Sequence, residues 1–147
     1  MQIFKLTQLT ALDLSRSELE GLDTDDDLAQ GLQQLQQLQV LRLDKSDSLY
    51  DPDFTRIAHV ISNMPQLQVL DVSDCDNMTL QAATALVTAC SLHVGMKELR
   101  IAGERDGKWS DVDLEECVDS FTNIMKHSKT KCRLINTRPQ IGPCRNF

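Results

Sequence analysis

The apolar residues of this chain follow one period, switch to another, and then begin again. Leu9, Leu12 and Leu14 recur as Leu38, Leu41 and Leu43, then as Leu67, Leu70 and Val72, and then as Met96, Leu99 and Ile101. The central leucines Leu12, Leu41, Leu70 and Leu99 stand 29 residues apart each time. A fixed period of that length marks a repeat architecture. Within each block, apolar residues two apart point to one side of an extended strand. The spacing then turns helical: Leu28, Leu32 and Leu35; Phe54, Ile57, Ile61 and Met64; Leu80, Ala83, Leu86, Val87 and Cys90. Capping oxygens are expected from Asp25–Asp27, Asp51–Asp53 around Pro52, and Asn77–Thr79. Each repeat reads as strand, turn, helix, turn.

One strand and one helix cannot bury their apolar sides alone, so successive units must stack. Helices about 10 Å wide against strands about 4.8 Å apart would curve the stack, with its sheet on the inside. After Ile101 the register slips across Gly103–Ser110. A helix from about Asp111 to His127 and a last strand over Lys131–Ile135 follow, with Cys132 and Leu134 facing the core. The expected organisation is one repeat domain over residues 1–135, then a cap or disordered tail over 136–147.

A 29-residue strand–helix unit resembles the ribonuclease-inhibitor-like class of leucine-rich repeats, found in the sensor regions of NOD-like receptors and in ribonuclease inhibitor. The match covers roughly residues 6–101. It implies an α/β leucine-rich-repeat solenoid of four to five repeats. One departure concerns the asparagine or cysteine expected three residues past the strand: here the position holds Ser17, Ser46, Cys75 and Glu104, which predicts an irregular turn ladder. The third repeat also resembles the cysteine-containing repeats of F-box substrate receptors. The resemblance implies a non-enzymatic protein-interaction module, the ligand-sensing or autoinhibitory segment of a larger cytoplasmic receptor in innate immunity. The alternatives are an F-box-type recruiting module and an enzyme regulator that inhibits a hydrolase or activates a GTPase.

Composition narrows the partners. The chain has 147 residues, enough for one domain, with 41% hydrophobic residues but only 4% aromatic ones. Net charge is −7, opposite to the basic field that nucleic acid needs. Residues 120–147 hold six basic residues and no acid, which reads as a helix C-terminus and tail decorated with cations. No apolar run reaches bilayer length, so no membrane partner is expected. The five cysteines are odd in number and lack a C-x-x-C pair, which points to reduced thiols in a cytosolic protein. Cys75, Cys90, Cys117 and Cys132 are expected to be mostly buried.

The candidate partner surface is the concave sheet. Residues alternating with the core leucines form columns across the repeats: Ala11, Val40, Val69 and Glu98; then Asp13, Arg42, Asp71 and Arg100, continued by Arg133; then Ser15, Asp44, Ser73 and Ala102. The middle column alternates in sign. Its plainer reading is a self-paired ion ladder that keeps the sheet soluble. The functional reading is a polar strip for a protein partner, made of Asp13, Arg42, Asp44, Asp71, Glu98, Arg100 and Arg133, with turn residues Arg16, Lys45 and Asp74 extending it.

Other chemistry does not assemble. Asp23, Asp25 and Asp27 imitate the start of a calcium loop, but Leu28 and Gln34 occupy the required glycine and glutamate positions. Cys90, His93 and His127 fall short of the four convergent ligands of a zinc site, and His59 is out of phase with them. No catalytic, cofactor or metal site is assigned. Trp109 is expected to pack the insertion against the last helix. The first strand has no polar capping unit ahead of it, so a piece of a longer protein is expected, self-associating through that N-terminal edge.

Overall fold

The structure, a computed structural model, describes residues 5–17, 27–101, 111–127 and 131–135. Among these residues five short strands alternate with four helices: β1 (Ala11–Asp13), α1 (Asp27–Gln34), β2 (Val40–Arg42), α2 (Asp51–Ile61), β3 (Val69–Asp71), α3 (Leu80–Leu92), β4 (Glu98–Arg100), α4 (Asp111–His127) and β5 (Arg133–Ile135). The strands form one parallel sheet in chain order, β1-β2-β3-β4-β5. Leu12, Leu41, Leu70, Leu99 and Leu134 lie side by side in register. Hydrogen bonds continue the ladder past the strands, from Leu14 N–H to the Arg42 carbonyl (2.9 Å) and from Arg16 N–H to the Asp44 carbonyl (3.0 Å).

The 29-residue spacing therefore places each strand beside the next through three steps, and the last step is longer. Arg133 faces Glu98, 35 positions earlier. Most of the extra length lies in α4, which has 17 residues against 13 in α3.

The core lies between the sheet and the helices. Leu41, Leu70 and Leu99 are fully buried, and so are Leu32, Phe54, Ile61, Leu86 and Val87 from the helical segments. The helices pack in chain order, α1 on α2, α2 on α3 and α3 on α4. Cys75, Cys90, Cys117 and Cys132 are buried free thiols, as expected. Burial pushes the Cys75 thiol up to about 12 and those of Cys117 and Cys132 to about 11, and it raises Cys90 as well.

Two local expectations change. Helix α2 is capped by Tyr50, whose N–H donates to the Asp53 carboxylate (2.9 Å), while Asp51 turns to the following repeat. There it accepts from the Thr79 N–H (2.8 Å) and hydroxyl (2.5 Å). Thr79 is the N-cap of α3, yet it makes no side-chain cap bond, because its hydroxyl already serves Asp51. The turn ladder is also more regular than the lone cysteine suggested. Ser46 donates to the Leu14 carbonyl (3.5 Å), and the Cys75 thiol reaches the Leu43 carbonyl (3.2 Å), so serine and cysteine do the same work at equivalent positions.

The expected insertion at Gly103–Ser110 with Trp109, the acidic start at Asp23 and Asp25, residues Ala102, Glu104 and Cys144, and the tail over 136–147 lie outside the described residues.

Candidate functional site: the strand face

Short strands with a core leucine at the centre leave their flanking residues on the opposite side of the sheet. The register sets Asp13 beside Arg42, Arg42 beside Asp71, and Asp71 beside Arg100. Arg133 does not continue that column. It stands beside Glu98, in the column of Ala11, Val40 and Val69, while Ile135 takes the place next to Arg100. The longer last repeat is the cause, since it shifts β5 by two residues against the expected alignment, which exchanges one column for its neighbour on the same face.

That shift gives Glu98 two basic partners. Its carboxylate accepts from Arg133 Nη2 at 2.6 Å and from Arg100 Nε at 2.5 Å, and Arg100 also reaches Asp71 at 3.5 Å. The Arg133 hydrogen bond, then that of Arg100, holds the Glu98 carboxyl below the usual range. The same bond raises Arg100. Asp71 and Glu98 side chains are only 10% and 11% exposed, so at the β3–β5 end the carboxylates are enclosed while Arg100 and Arg133, 41% and 71% exposed, cover them from outside.

The other end is open. Arg42 and Asp13 meet at 3.7 Å with side chains 48% and 58% exposed. Ser15 donates to the Asp13 carboxylate from its hydroxyl (2.5 Å) and from its backbone N–H (3.0 Å), and the same hydroxyl lies 2.6 Å from Asp44. The two Ser15 hydrogen bonds to Asp13, the hydroxyl's first, with a smaller contribution from Arg42, keep the Asp13 carboxyl below its ordinary value. Asp44 therefore belongs to the first-strand end through Ser15, and the seven candidate residues split into two groups: Asp13, Arg42 and Asp44, and Asp71, Glu98, Arg100 and Arg133.

Just past the strands, Arg16, Lys45 and Asp74 share a left-handed backbone, with φ of 57°, 58° and 54°. They line a cavity of about 380 Å³ with Ser17, Asp47 and Asp76. The sequence signal for this row is the repeat itself, since the three residues occupy equivalent positions. A second, more apolar cavity of about 470 Å³ lies between the ends of α2 and α3, beside Leu92 and Val94. Those two residues are 65% and 93% exposed, and sequence reasoning missed the patch because neither falls on the helical stripe.

Cys90 and His93 are packing residues. Cys90 is fully buried. His93 accepts from the Gly95 N–H at Nδ1 (3.1 Å), so its Nε2 carries the proton given to the Met64 carbonyl (3.1 Å). Among the described residues no cluster of histidine, cysteine and carboxylates suits a metal, and no helix is long and apolar enough to cross a membrane.

No family model matches the chain, and no curated protein does. Among solved structures it is similar to the leiomodin-1 actin-binding site 2, at a TM-score of 0.72 and 14% identity, over 94% of this chain and 76% of that one. At that identity the likeness concerns the fold alone.

Proposed function

We propose that the chain is a leucine-rich-repeat solenoid segment of the ribonuclease-inhibitor-like class, acting as a non-catalytic protein-interaction module. The open end of the strand face, Asp13, Arg42 and Asp44, is its contact region. One observation carries this reading: the carboxylates of β3–β5 are enclosed and held by Arg100 and Arg133, whereas at β1–β2 the Asp13 carboxylate and its partner Arg42 are both about half exposed and meet only at 3.7 Å. Exposed charge in fixed register selects a partner by complementarity more than it stabilises the fold. We place the segment in a larger cytoplasmic receptor of the NOD-like kind, in a ligand-sensing or autoinhibitory role within innate immunity. F-box-type recruitment and enzyme regulation are the competing settings.

The leiomodin neighbour is, by its name, an actin-binding site, so purified actin is a sensible first partner to offer. The test compares wild-type chain with Arg42→Glu in affinity capture, followed by direct binding of each recovered protein. Partners that bind wild type directly and are lost with Arg42→Glu support the reading. Recovery indifferent to Arg42 overturns it. A nucleotide-binding segment encoded upstream would favour the receptor setting, and an F-box segment the recruiting one.

A further inference from the structure

We propose that the apolar cavity between the ends of α2 and α3 takes Tyr50 of a second copy of this chain, so that copies join head to tail. The contact lies away from the strand face and from the outer edge of β1, and its test involves neither. Leu92 and Val94, beside the cavity, are both exposed. The repeat does not require apolar residues there, since the equivalent places one and two units earlier hold Asn63 and Pro65, then Gln34 and Gln36. Tyr50 departs from the pattern in the same way at the opposite end. It is 56% exposed at the N-cap of α2, whereas the equivalent cap of α3 is Thr79, the short polar kind that helix starts prefer. The ring and the hollow are thus two apolar features that the fold itself does not use.

They match in chemistry. Ala58, Pro65 and Ala89 give the cavity apolar walls, and His59 and Ser62 add polar groups to them. A phenol ring has the same division, an apolar body with a polar tip, and tyrosine is a frequent anchor of protein interfaces. About 470 Å³ admits such a ring. Charge agrees as well. Segments 62–68 and 91–97, which frame the cavity, contain no acid. Lys97, two residues beyond the lining Gly95, gives its ammonium to the Gln68 side chain (2.7 Å), a neutral partner. Tyr50 stands between Asp47 and Asp51; Asp47 is exposed, and Asp51 is held by Thr79 and not by a cation. An acidic surround therefore meets a rim that carries His59 and Lys97.

One chain cannot make this contact with itself. Helices α2 and α3 pack side by side and both run between parallel strands, so Tyr50 lies at one end of the helical layer and the cavity at the other. The 11 residues of α2 alone set them about 16 Å apart. The contact is not reciprocal either: a joined pair leaves one Tyr50 and one cavity free, so the interface is heterologous and continues copy by copy.

That asymmetry supplies the test. Tyr50→Ala removes the ring and keeps the cavity, whereas Val94→Asp spoils the cavity and keeps the ring. Both positions are exposed, and circular dichroism checks that each variant is folded. Immobilised Tyr50→Ala should bind soluble Val94→Asp about as well as wild type binds itself. Each variant should bind itself at least about tenfold more weakly. In sedimentation the two variants mixed should stop at a one-to-one pair, while wild type grows beyond a dimer. Equal binding in every pairing would assign association to another surface, the β1 edge included, and would overturn the proposal. So would a wild type that does not associate, or a mixed pair that fails to bind when wild type does. A blocked peptide of residues 47–53 that shifts the Ser62, Leu92 and Val94 amides when the whole chain does not would give the cavity to a different polypeptide, and the second copy would be wrong.

Discussion

Glu98 and Arg133 join β4 to β5 through a 2.6 Å hydrogen bond across 35 positions of sequence. With Arg100 on its other oxygen, Glu98 links the last two strands by charge as well as by backbone. Its carboxyl titrates below the ordinary glutamate range in the folded chain. Between that lowered value and the ordinary one near 4.3, the unfolded chain binds more protons than the folded one. Stability from this group is therefore complete above pH ~4.3 and is lost as pH falls through the folded value. Thermal melts over a mildly acidic series should show Glu98→Gln less acid-sensitive than wild type. Parallel slopes would refute the claim.

Arg100 and Arg42 look equivalent in the sequence and should behave differently. Arg100 bridges Asp71 and Glu98, both largely buried, whereas Arg42 pairs with the exposed Asp13. Arg100→Glu should cost about 1–3 kcal/mol in urea unfolding, and Arg42→Glu about 0–1 kcal/mol. Equal losses would mean that the two ends of the sheet are electrostatically alike.

Leu70 stands at the centre of the core in the middle strand and is fully buried. Leu70→Ala should destabilise by about 2–5 kcal/mol through the cavity it leaves. In a chain this short that loss is a large share of the total stability, so the melting temperature should fall by many degrees.

Cys75 offers a test of the turn ladder. Cys75→Ser keeps a donor for the Leu43 carbonyl, as Ser46 provides one for Leu14, whereas Cys75→Ala leaves that carbonyl unpaired. The alanine variant should be the less stable of the two by about 1 kcal/mol in denaturant unfolding. If serine proves the worse, burial of sulfur matters more than the bond.

The outer edge of β1 pairs with no other described strand, and Leu6 close by is 55% exposed. Unpaired strand edges invite association. Mass measured by light scattering should rise with concentration, and a sharp monomer across the series would remove this expectation.

Much of this architecture could be read from the leucines alone. Leu12, Leu41, Leu70 and Leu99 are spaced evenly, and each spacing step equals one strand pairing in the structure. Helix α4 was placed by its apolar residues with the bounds it has, Asp111–His127. Arg133 was misplaced because β5 carries no third core residue to fix its register, and a shift of two residues keeps the same face while changing the neighbour. Thr79 and Asp51 look like local caps in the sequence, which shows only neighbours along the chain. Their bond runs between residues 28 apart. The division of the strand face into a closed and an open half was equally hidden, since it follows from which arginine reaches which carboxylate.

Side chains in the turns reach back one unit at a time: Asn77 to the Asp47 carbonyl, Ser48 to Ser17, His93 to Met64. Among the described residues the helices and strands pack chiefly on their neighbours in the chain order, so the assembly resembles a stack of coins held by contact between adjacent faces. Thermal opening should then start at the outermost layers and travel inward, with amide protons around β3 the last to exchange. A partner seated across β1 and β2 would reinforce the weakest rim of the stack, and occupancy there would show as slowed fraying as much as a change in shape.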